Sequence, residues 1–190
     1  AMPCPCVMID TDFICWKPLA PILKGLDAAA IHREDIMPDI YPDARAFTQT
    51  HGFDFSGFDW TVQPFNTALC YLADDGFRRY YTDTAIRFIR SSPNADDVLT
   101  YMVLAEQRLL AMCAAKKGIR AAALSDLEAL FTGAQQGYFT HIWGFKQQMR
   151  DEPALYEDFC RRCAARLRRD FPDAAKRIAA VPTLAPYFSD

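Results

Sequence analysis

The chain has 190 residues, of which 51% are hydrophobic and 24% are charged, a balance typical of one globular domain with a substantial core. This composition excludes an intrinsically disordered chain. A net charge of -3 provides no general electrostatic attraction to DNA or RNA, so we expect no nucleic-acid partner.

Charged residues interrupt every long apolar window before it reaches the ~20 residues that a membrane-spanning helix needs. No charged-then-apolar signal segment opens the sequence, so we expect a cytoplasmic protein. Seven cysteines without framework spacing are typical of a reducing compartment and imply no disulfides. The pairs Cys4/Cys6 and Cys160/Cys163 leave a four-thiolate zinc site open as an alternative to ordinary free thiols.

The first predicted element is a short buried strand at residues 7–9, an apolar run with two aspartates at its end. A buried strand that ends in polar residues delivers those residues to one edge of a sheet. We therefore expect the chemistry of this protein to lie at the edge that holds Asp10 and Asp12.

The segment "KPLAPILKGLD" predicts a short helix with Gly25 near its end. "AAAIHRED" predicts the next strand. Residues 35–60 are rich in Pro, Asp, Gly and aromatic residues, which predicts a long irregular segment of the kind that carries an acceptor-binding loop.

"TVQPFNTALCYLA" predicts a strand around Pro64, followed by a helix over residues 74–92 that Asp74 or Asp75 would cap. Apolar positions then predict the longest helix of the chain at residues 96–118, where a glycine ends the pattern. Its apolar residues occur on several sides, so we expect this helix to be buried.

"IRAAALS" and "GYFTHIW" predict two further short strands, and residues 153–170 predict a terminal amphipathic helix. Strands and helices alternate along the chain without an internal repeat. This order predicts an α/β layer architecture.

Asp10 and Asp12 are the first candidate site residues. In an extended chain, side chains two positions apart face the same way, so both carboxylates can approach one cation. Oxygen ligands favour Mg²⁺ or Mn²⁺, ions that neutralise charge on a phosphate leaving group. The pair therefore suggests a phosphate-bearing substrate, although an Asp-x-Asp at the end of a strand also commonly caps a turn.

A second candidate group lies in "YFTHIWGFKQQ". His141 can complete a metal site, Gly144 allows backbone to approach a ligand closely, and Lys146 supplies a positive charge for phosphate. Each residue alone has an ordinary structural explanation. Their combination with the acidic pair favours a metal and phosphate site.

Four segments together resemble, in this order, nucleotide-sugar glycosyltransferases of the A-type fold, the class of glycogenin and the bacterial lipopolysaccharide galactosyltransferases. "MIDTDFICW" resembles the DXD segment, and "FNTALCYL" the segment in which an Asn precedes an inner strand. "AEQRLLA" resembles the acidic-Gln helix, and "THIWGFK" the His-x-x-Gly-x-x-Lys loop.

The resemblance implies a partial glycosyltransferase A-type α/β fold with a short mixed sheet flanked by helices. It covers residues 7–146, the glycosyltransferase-like core of a single domain spanning residues 1–190. Residues 147–190 would form a helical C-terminal extension. The implied activity is metal-dependent transfer of a sugar from a nucleotide-sugar donor to a saccharide or lipid-linked acceptor, and the resemblance implies that the donor is UDP-linked.

The resemblance also implies a role for each matched residue. Asp10, Asp12 and His141 would bind Mn²⁺ or Mg²⁺, with Asp12 as the direct carboxylate ligand and Asp10 also touching the donor ribose. Gly144 and Lys146 would hold the donor diphosphate. These five residues form the predicted metal and donor site.

Three catalytic residues follow from the same resemblance. Asn66 would lie near the sugar or the acceptor, and Glu106 with Gln107 would orient the donor sugar or stabilise the transition state. Two simpler interpretations stay open: Asn66 satisfies a turn, and Glu106 pairs with Arg108 or Lys117 on the helix surface.

The sequence departs from the family pattern in two places. One residue separates Gly144 from Lys146 where the pattern has two, and Gln147-Gln148 replace its Pro-Trp ending. Few residues precede Asp10, where the family has its nucleotide-binding half, so we expect that half to be missing and catalysis to be incomplete. An uncovered sheet edge would result, and we expect a homodimer to bury it.

The helix at residues 153–170 would be basic on one side, which suits peripheral contact with an anionic membrane; a charged outer face on a packed helix is the alternative. Two other functions stay open. One is an inactive fragment or a non-catalytic module that binds sugar or protein. The other is a haloacid dehalogenase-type phosphohydrolase, which requires Thr or Val where this chain has Ile14.

Overall fold

The computed structural model describes residues 3–41, 43–91, 103–132 and 137–189. The chain forms two compact units, Ala1–Ile142 and Trp143–Asp190. The predicted α/β class is confirmed, because a small mixed sheet and several helices occur together in the first unit.

The first unit contains a four-stranded sheet with the strand order β1-β4-β3-β5. Its strands are β1 (Cys6–Ile9), β3 (Ala28–Ala30), β4 (Leu69–Leu72) and β5 (Ala121–Ala123). Strand β4 runs antiparallel to β1 and β3, whereas β3 and β5 are parallel. The predicted strands form, with one shift and one correction. Strand β4 begins beyond Pro64, which has no N–H for a strand ladder. Residues 7–9 of β1 are exposed and not buried, because β1 is an edge strand.

A second sheet pairs β2 (Phe13–Cys15) with β6 (Phe139–His141) in antiparallel register. The sequence predicts β6 but not β2, because three residues directly after the acidic pair are too short for a recognisable alternation. In this register Phe13 lies opposite His141. The small sheet therefore brings the two ends of the first unit together.

The main sheet lies between two apolar clusters. Because successive side chains of a strand point to opposite faces, Cys70 and Leu72 join one cluster and Leu69 joins the other. Strand β3 consists of three buried alanines, whose small side chains let the covering layers approach the sheet closely. The interior of this unit is thus built on β3 and β4.

Five helices belong to the described part of the first unit: α1 (Ala20–Leu23), α2 (Ala44–Thr50), α3 (Asp75–Ser91), α4 (Leu109–Lys117) and α5 (Leu127–Thr132). The predicted cap of α3 is Asp74, whose Oδ1 accepts a hydrogen bond from the N–H of Phe77 at 2.7 Å. Helix α4 ends, as predicted, at Gly118, whose φ of 66° is left-handed.

The prediction of an irregular segment at residues 35–60 is wrong where α2 forms. Helix α2 carries no clear apolar period, and its Phe47 packs against the rings of Phe55 and Phe88. Tertiary packing of aromatic side chains therefore stabilises this helix.

The predicted long helix over residues 96–118 falls partly outside the described residues, as do its predicted apolar residues Leu99 and Met102. Its described part is a π-helical turn, Leu104–Arg108, that continues into α4. Residues 109–114 are all buried, as expected for this helix.

The second unit contains α6 (Lys146–Asp151), α7 (Pro153–Asp170) and α8 (Pro172–Ala179). Helix α7 has the predicted bounds, although α8 follows it. Proline begins both α7 and α8, at a position where the missing N–H costs nothing. The arginines of α7 form ion pairs within the helix, such as Arg162 with Asp158 at 2.8 Å, which reduces the positive charge available to a membrane.

In the part of the chain that the structure describes, no helix combines the length and apolarity required to cross a bilayer.

Candidate metal centre

The topology of the main sheet decides where polar residues meet. Strands β1 and β3 are both antiparallel to the β4 strand between them, so β1 and β3 run in the same direction. Their C-terminal ends therefore lie side by side, at the edge of the sheet where the strands end. Strand β4 begins at that edge. Residues that follow β1 and β3 and residues that precede β4 therefore converge.

Asp10 and Asp12 lie in the turn between β1 and β2. The N–H of Asp10 donates to the carbonyl of Ala68 at 2.8 Å, which extends the pairing of β1 with β4 by one residue. The N–H of Phe13 donates to the carbonyl of Asp10 at 3.2 Å and closes the turn. Backbone hydrogen bonds thus fix the segment that carries both carboxylates.

His141 reaches the same turn from the end of β6. The N–H of Ile142 donates to the carbonyl of Asp12 at 2.9 Å, and His141 Nε2 lies 3.6 Å from Asp12 Oδ2. One ligand atom each of Asp10, Asp12 and His141 lies within 4.8 Å of the other two. The three residues predicted to bind metal are therefore brought together, and we call them the acidic triad.

The donor set of the acidic triad fits a divalent cation. Two carboxylates and one imidazole are ligands that would hold Mn²⁺ or Mg²⁺. His141 is buried, Asp12 is half-buried and Asp10 is exposed. This gradient leaves one side of the site open to a substrate.

A polar cluster formed by His32, Glu34 and Asn66 occupies the same sheet edge. His32 Nε2 lies 3.1 Å from Glu34 Oε1, and Asn66 Nδ2 donates to the same oxygen at 2.9 Å. The Asn66 side-chain oxygen accepts from the N–H of Ala68 at 3.2 Å. Asn66 thus satisfies a turn, as its simpler interpretation predicts, and also holds the partly buried carboxylate of Glu34.

The charge state of Glu34 links this cluster to the acidic triad. Burial alone would raise the pKa of Glu34. The hydrogen bonds from His32 and Asn66 and the charges of His32 and His141 together outweigh burial, so the pKa lies below its ordinary value. Glu34 is therefore held ionised within electrostatic reach of His141.

Glu106 and Gln107 occupy the π-helical turn, a structure that is frequent at functional sites. Gln107 Oε1 accepts a hydrogen bond of 2.5 Å from the hydroxyl of Tyr41. Partial burial raises the pKa of Glu106, and the negative charge of Asp10 raises it further. The predicted catalytic carboxyl group of Glu106 is thus an electrostatic neighbour of the acidic triad.

Arg108 and Lys117, the two cations considered as surface partners of Glu106, contact aromatic rings. The side chain of Arg108 is buried, donates to the carbonyl of Trp60, and lies over the rings of Trp60 and Tyr41. The ammonium group of Lys117 lies 4.3 Å from the centre of a tyrosine ring. Both cations are therefore engaged with aromatic rings.

Sequence reasoning missed His32, Glu34 and Tyr41. The signal for the first two was present, because "AAAIHRED" is an apolar run that ends in polar residues, as the segment before Asp10 is. Tyr41 lies in a segment without periodicity, where no local pattern distinguishes it from the neighbouring aromatic residues.

Gly144 and Lys146 belong to the second unit. Lys146 is the first residue of α6 and lines a surface pocket of about 330 Å³ with Met149, Arg150 and Tyr156. The role of Gly144 and Lys146 at a donor diphosphate stays a prediction.

No family model, no curated protein and no solved structure matches the chain. The likeness to glycosyltransferases therefore rests on the four sequence segments.

Proposed function

We propose that the chain is a glycosyltransferase-like protein with a partial A-type fold, which transfers a sugar from a UDP-linked donor to a saccharide acceptor in a metal-dependent reaction. The observation that carries the proposal is the convergence of Asp10, Asp12 and His141, with ligand atoms within 4.8 Å of one another. A divalent cation in this site supplies positive charge where the diphosphate leaves.

The surrounding residues suit the charges that such a reaction develops. Breaking the bond between sugar and phosphate creates positive charge on the sugar ring. Glu106, whose pKa is raised by partial burial and then by the charge of Asp10, would stabilise that charge on losing its proton. Gln107, oriented by the hydroxyl of Tyr41, hydrogen-bonds the donor sugar.

Ionised Glu34 and the amide of Asn66 complete the proposed site on the side of β3 and β4. A carboxylate and an amide together accept from and donate to sugar hydroxyl groups.

The direct test is release of UDP from UDP-galactose and UDP-glucose in the presence of Mn²⁺ and saccharide acceptors. Loss of a metal ligand in Asp12→Asn is expected to lower the rate by at least about 100-fold. Asp83→Asn, which removes an exposed carboxylate on α3, serves as the matched control and keeps the wild-type rate.

Two results would contradict the proposal. The first is equal activity of wild type and Asp12→Asn. The second is a folded wild type that binds Mn²⁺ but neither binds nor turns over a nucleotide sugar, which would support the non-catalytic module. Trapping of a phosphoaspartate on Asp10 would instead support the phosphohydrolase.

A further inference from the structure

Strand β1 forms an edge of the main sheet, and the structure describes no strand on its outer side. The sequence predicts residues 7–9 to be buried, but Val7, Met8 and Ile9 are 36%, 42% and 49% exposed. Natural edge strands are commonly protected by charges, proline or a bulge. Cys6–Ile9 has neither a charged residue nor a proline.

The backbone of β1 is poised to pair on this outer side. The N–H of Asp10 donates to β4, and backbone groups alternate in direction along an antiparallel strand, so Met8 also faces β4. The N–H and C=O groups of Val7 and Ile9 therefore point away from the sheet. An added strand would accept hydrogen bonds from the N–H groups of these two residues and donate hydrogen bonds to their C=O groups.

The exposed side chains continue both faces of the sheet. Val7 and Ile9 lie opposite Tyr71 and Leu69, on the face of the second apolar cluster. Met8 lies opposite a cysteine of β4 on the other face. Both apolar clusters therefore extend to the edge strand β1. A partner strand beside β1 would bury the exposed apolar side chains on both faces of the sheet.

The acidic residues at one end of β1 favour antiparallel over parallel pairing of two identical strands. Asp10 and Asp12 follow the C-terminal end of β1. Two parallel copies would place these carboxylates side by side, whereas two antiparallel copies hold them at opposite ends of the interface.

We propose that a second copy of this chain covers β1, with the two strands paired antiparallel about a two-fold axis at Met8. In this register Val7 of one copy exchanges backbone hydrogen bonds with Ile9 of the other, and the two Met8 side chains meet on the axis. The sheet then continues from β5-β3-β4-β1 of one copy into β1-β4-β3-β5 of the other. This proposal does not depend on the proposed function.

The test is the mass in solution by analytical ultracentrifugation, in EDTA and a reducing agent so that neither metal nor disulfides contribute. Wild type is expected to sediment at twice the 21.5 kDa of the chain. Val7→Pro removes an outward N–H without affecting the β4 ladder, and Met8→Lys places two like charges on the axis. Each variant is expected to weaken dimerisation at least about tenfold.

Ile89→Lys is the matched control, because it replaces another exposed apolar residue, 57% exposed on α3, and is expected to stay dimeric. Circular dichroism checks that each variant is folded. A monomeric wild type overturns the proposal and assigns the β1 edge to a different polypeptide. A dimer that persists in both folded β1 variants also overturns it, because the interface would then lie elsewhere.

Discussion

At the residue scale, two carboxyl groups near the acidic triad have pKa values shifted in opposite directions. Hydrogen bonds and neighbouring imidazoles lower the pKa of Glu34 despite its burial, whereas partial burial and then the charge of Asp10 raise the pKa of Glu106. Environments that separate the pKa values of neighbouring groups are typical of sites that assign them different roles. The carboxyl group of Glu34 is therefore suited to stay ionised, whereas that of Glu106 is suited to gain or lose a proton as its surroundings change.

Glu106→Gln is expected to change the pH dependence of stability. Folding raises the pKa of Glu106, so the folded state keeps this proton up to a higher pH than the unfolded state does. Wild type therefore loses stability as pH rises through the interval between the unfolded and the folded pKa. The free energy of unfolding of Glu106→Gln should therefore exceed that of wild type at pH 7 and approach it at acid pH. Urea unfolding from pH 4 to 8, with exposed Glu128→Gln as control, measures this; a constant difference would contradict it.

Glu34→Gln is expected to have the opposite sign. A pKa lowered by folding stabilises the protein above the ordinary value of about 4.3, and the gain is lost as pH falls through the folded value. Replacing the carboxylate that accepts from His32 and Asn66 should cost about 1–3 kcal/mol at pH 7. Urea unfolding should show this cost shrinking at acid pH, and an unaltered stability at pH 7 would count against the buried network.

At the scale of elements, β4 is the strand on which both apolar clusters are built. Leu69 is fully buried between β1 and β3, so Leu69→Ala should lower the free energy of unfolding by about 2–5 kcal/mol. Ile89→Ala on the exposed face of α3 should change it by at most about 0.5 kcal/mol. Equal effects in thermal or urea unfolding would show that the sheet is not the core of the first unit.

Elements with local signals are the ones that sequence reasoning predicts well. The cap of α3 at Asp74, the glycine stop of α4 and the proline start of α7 are set by side chains within a few residues of each end. Helix α2 and strand β2 lack such signals. Their positions depend on packing against distant residues, which spacing along the chain does not encode.

The candidate site shows the same division. The spacing of Asp10 and Asp12 predicts a shared cation, the resemblance to glycosyltransferases adds His141, and the pairing of β2 with β6 brings the three together. The contribution of Glu34 requires knowing that β1 and β3 run in the same direction on either side of β4. Sequence order alone does not supply that arrangement.

At the scale of the whole molecule, β1 connects the two proposals. Its C-terminal end leads into the acidic triad, and its outer edge carries the exposed apolar residues. A ligand that binds only the folded first unit should stabilise it by mass action, by about 2.7 kcal/mol at a concentration 100 times the dissociation constant. Occupation of the site is therefore measurable without knowledge of the acceptor.

Calorimetric titration of UDP into the protein with and without Mn²⁺ tests the proposed donor site most directly. We expect binding that requires Mn²⁺, is lost in Asp12→Asn and is kept in the control Asp83→Asn. UDP binding that is independent of Mn²⁺, or that is equal in wild type and Asp12→Asn, would contradict a metal-assisted donor site at the acidic triad. So would the absence of binding to folded wild type.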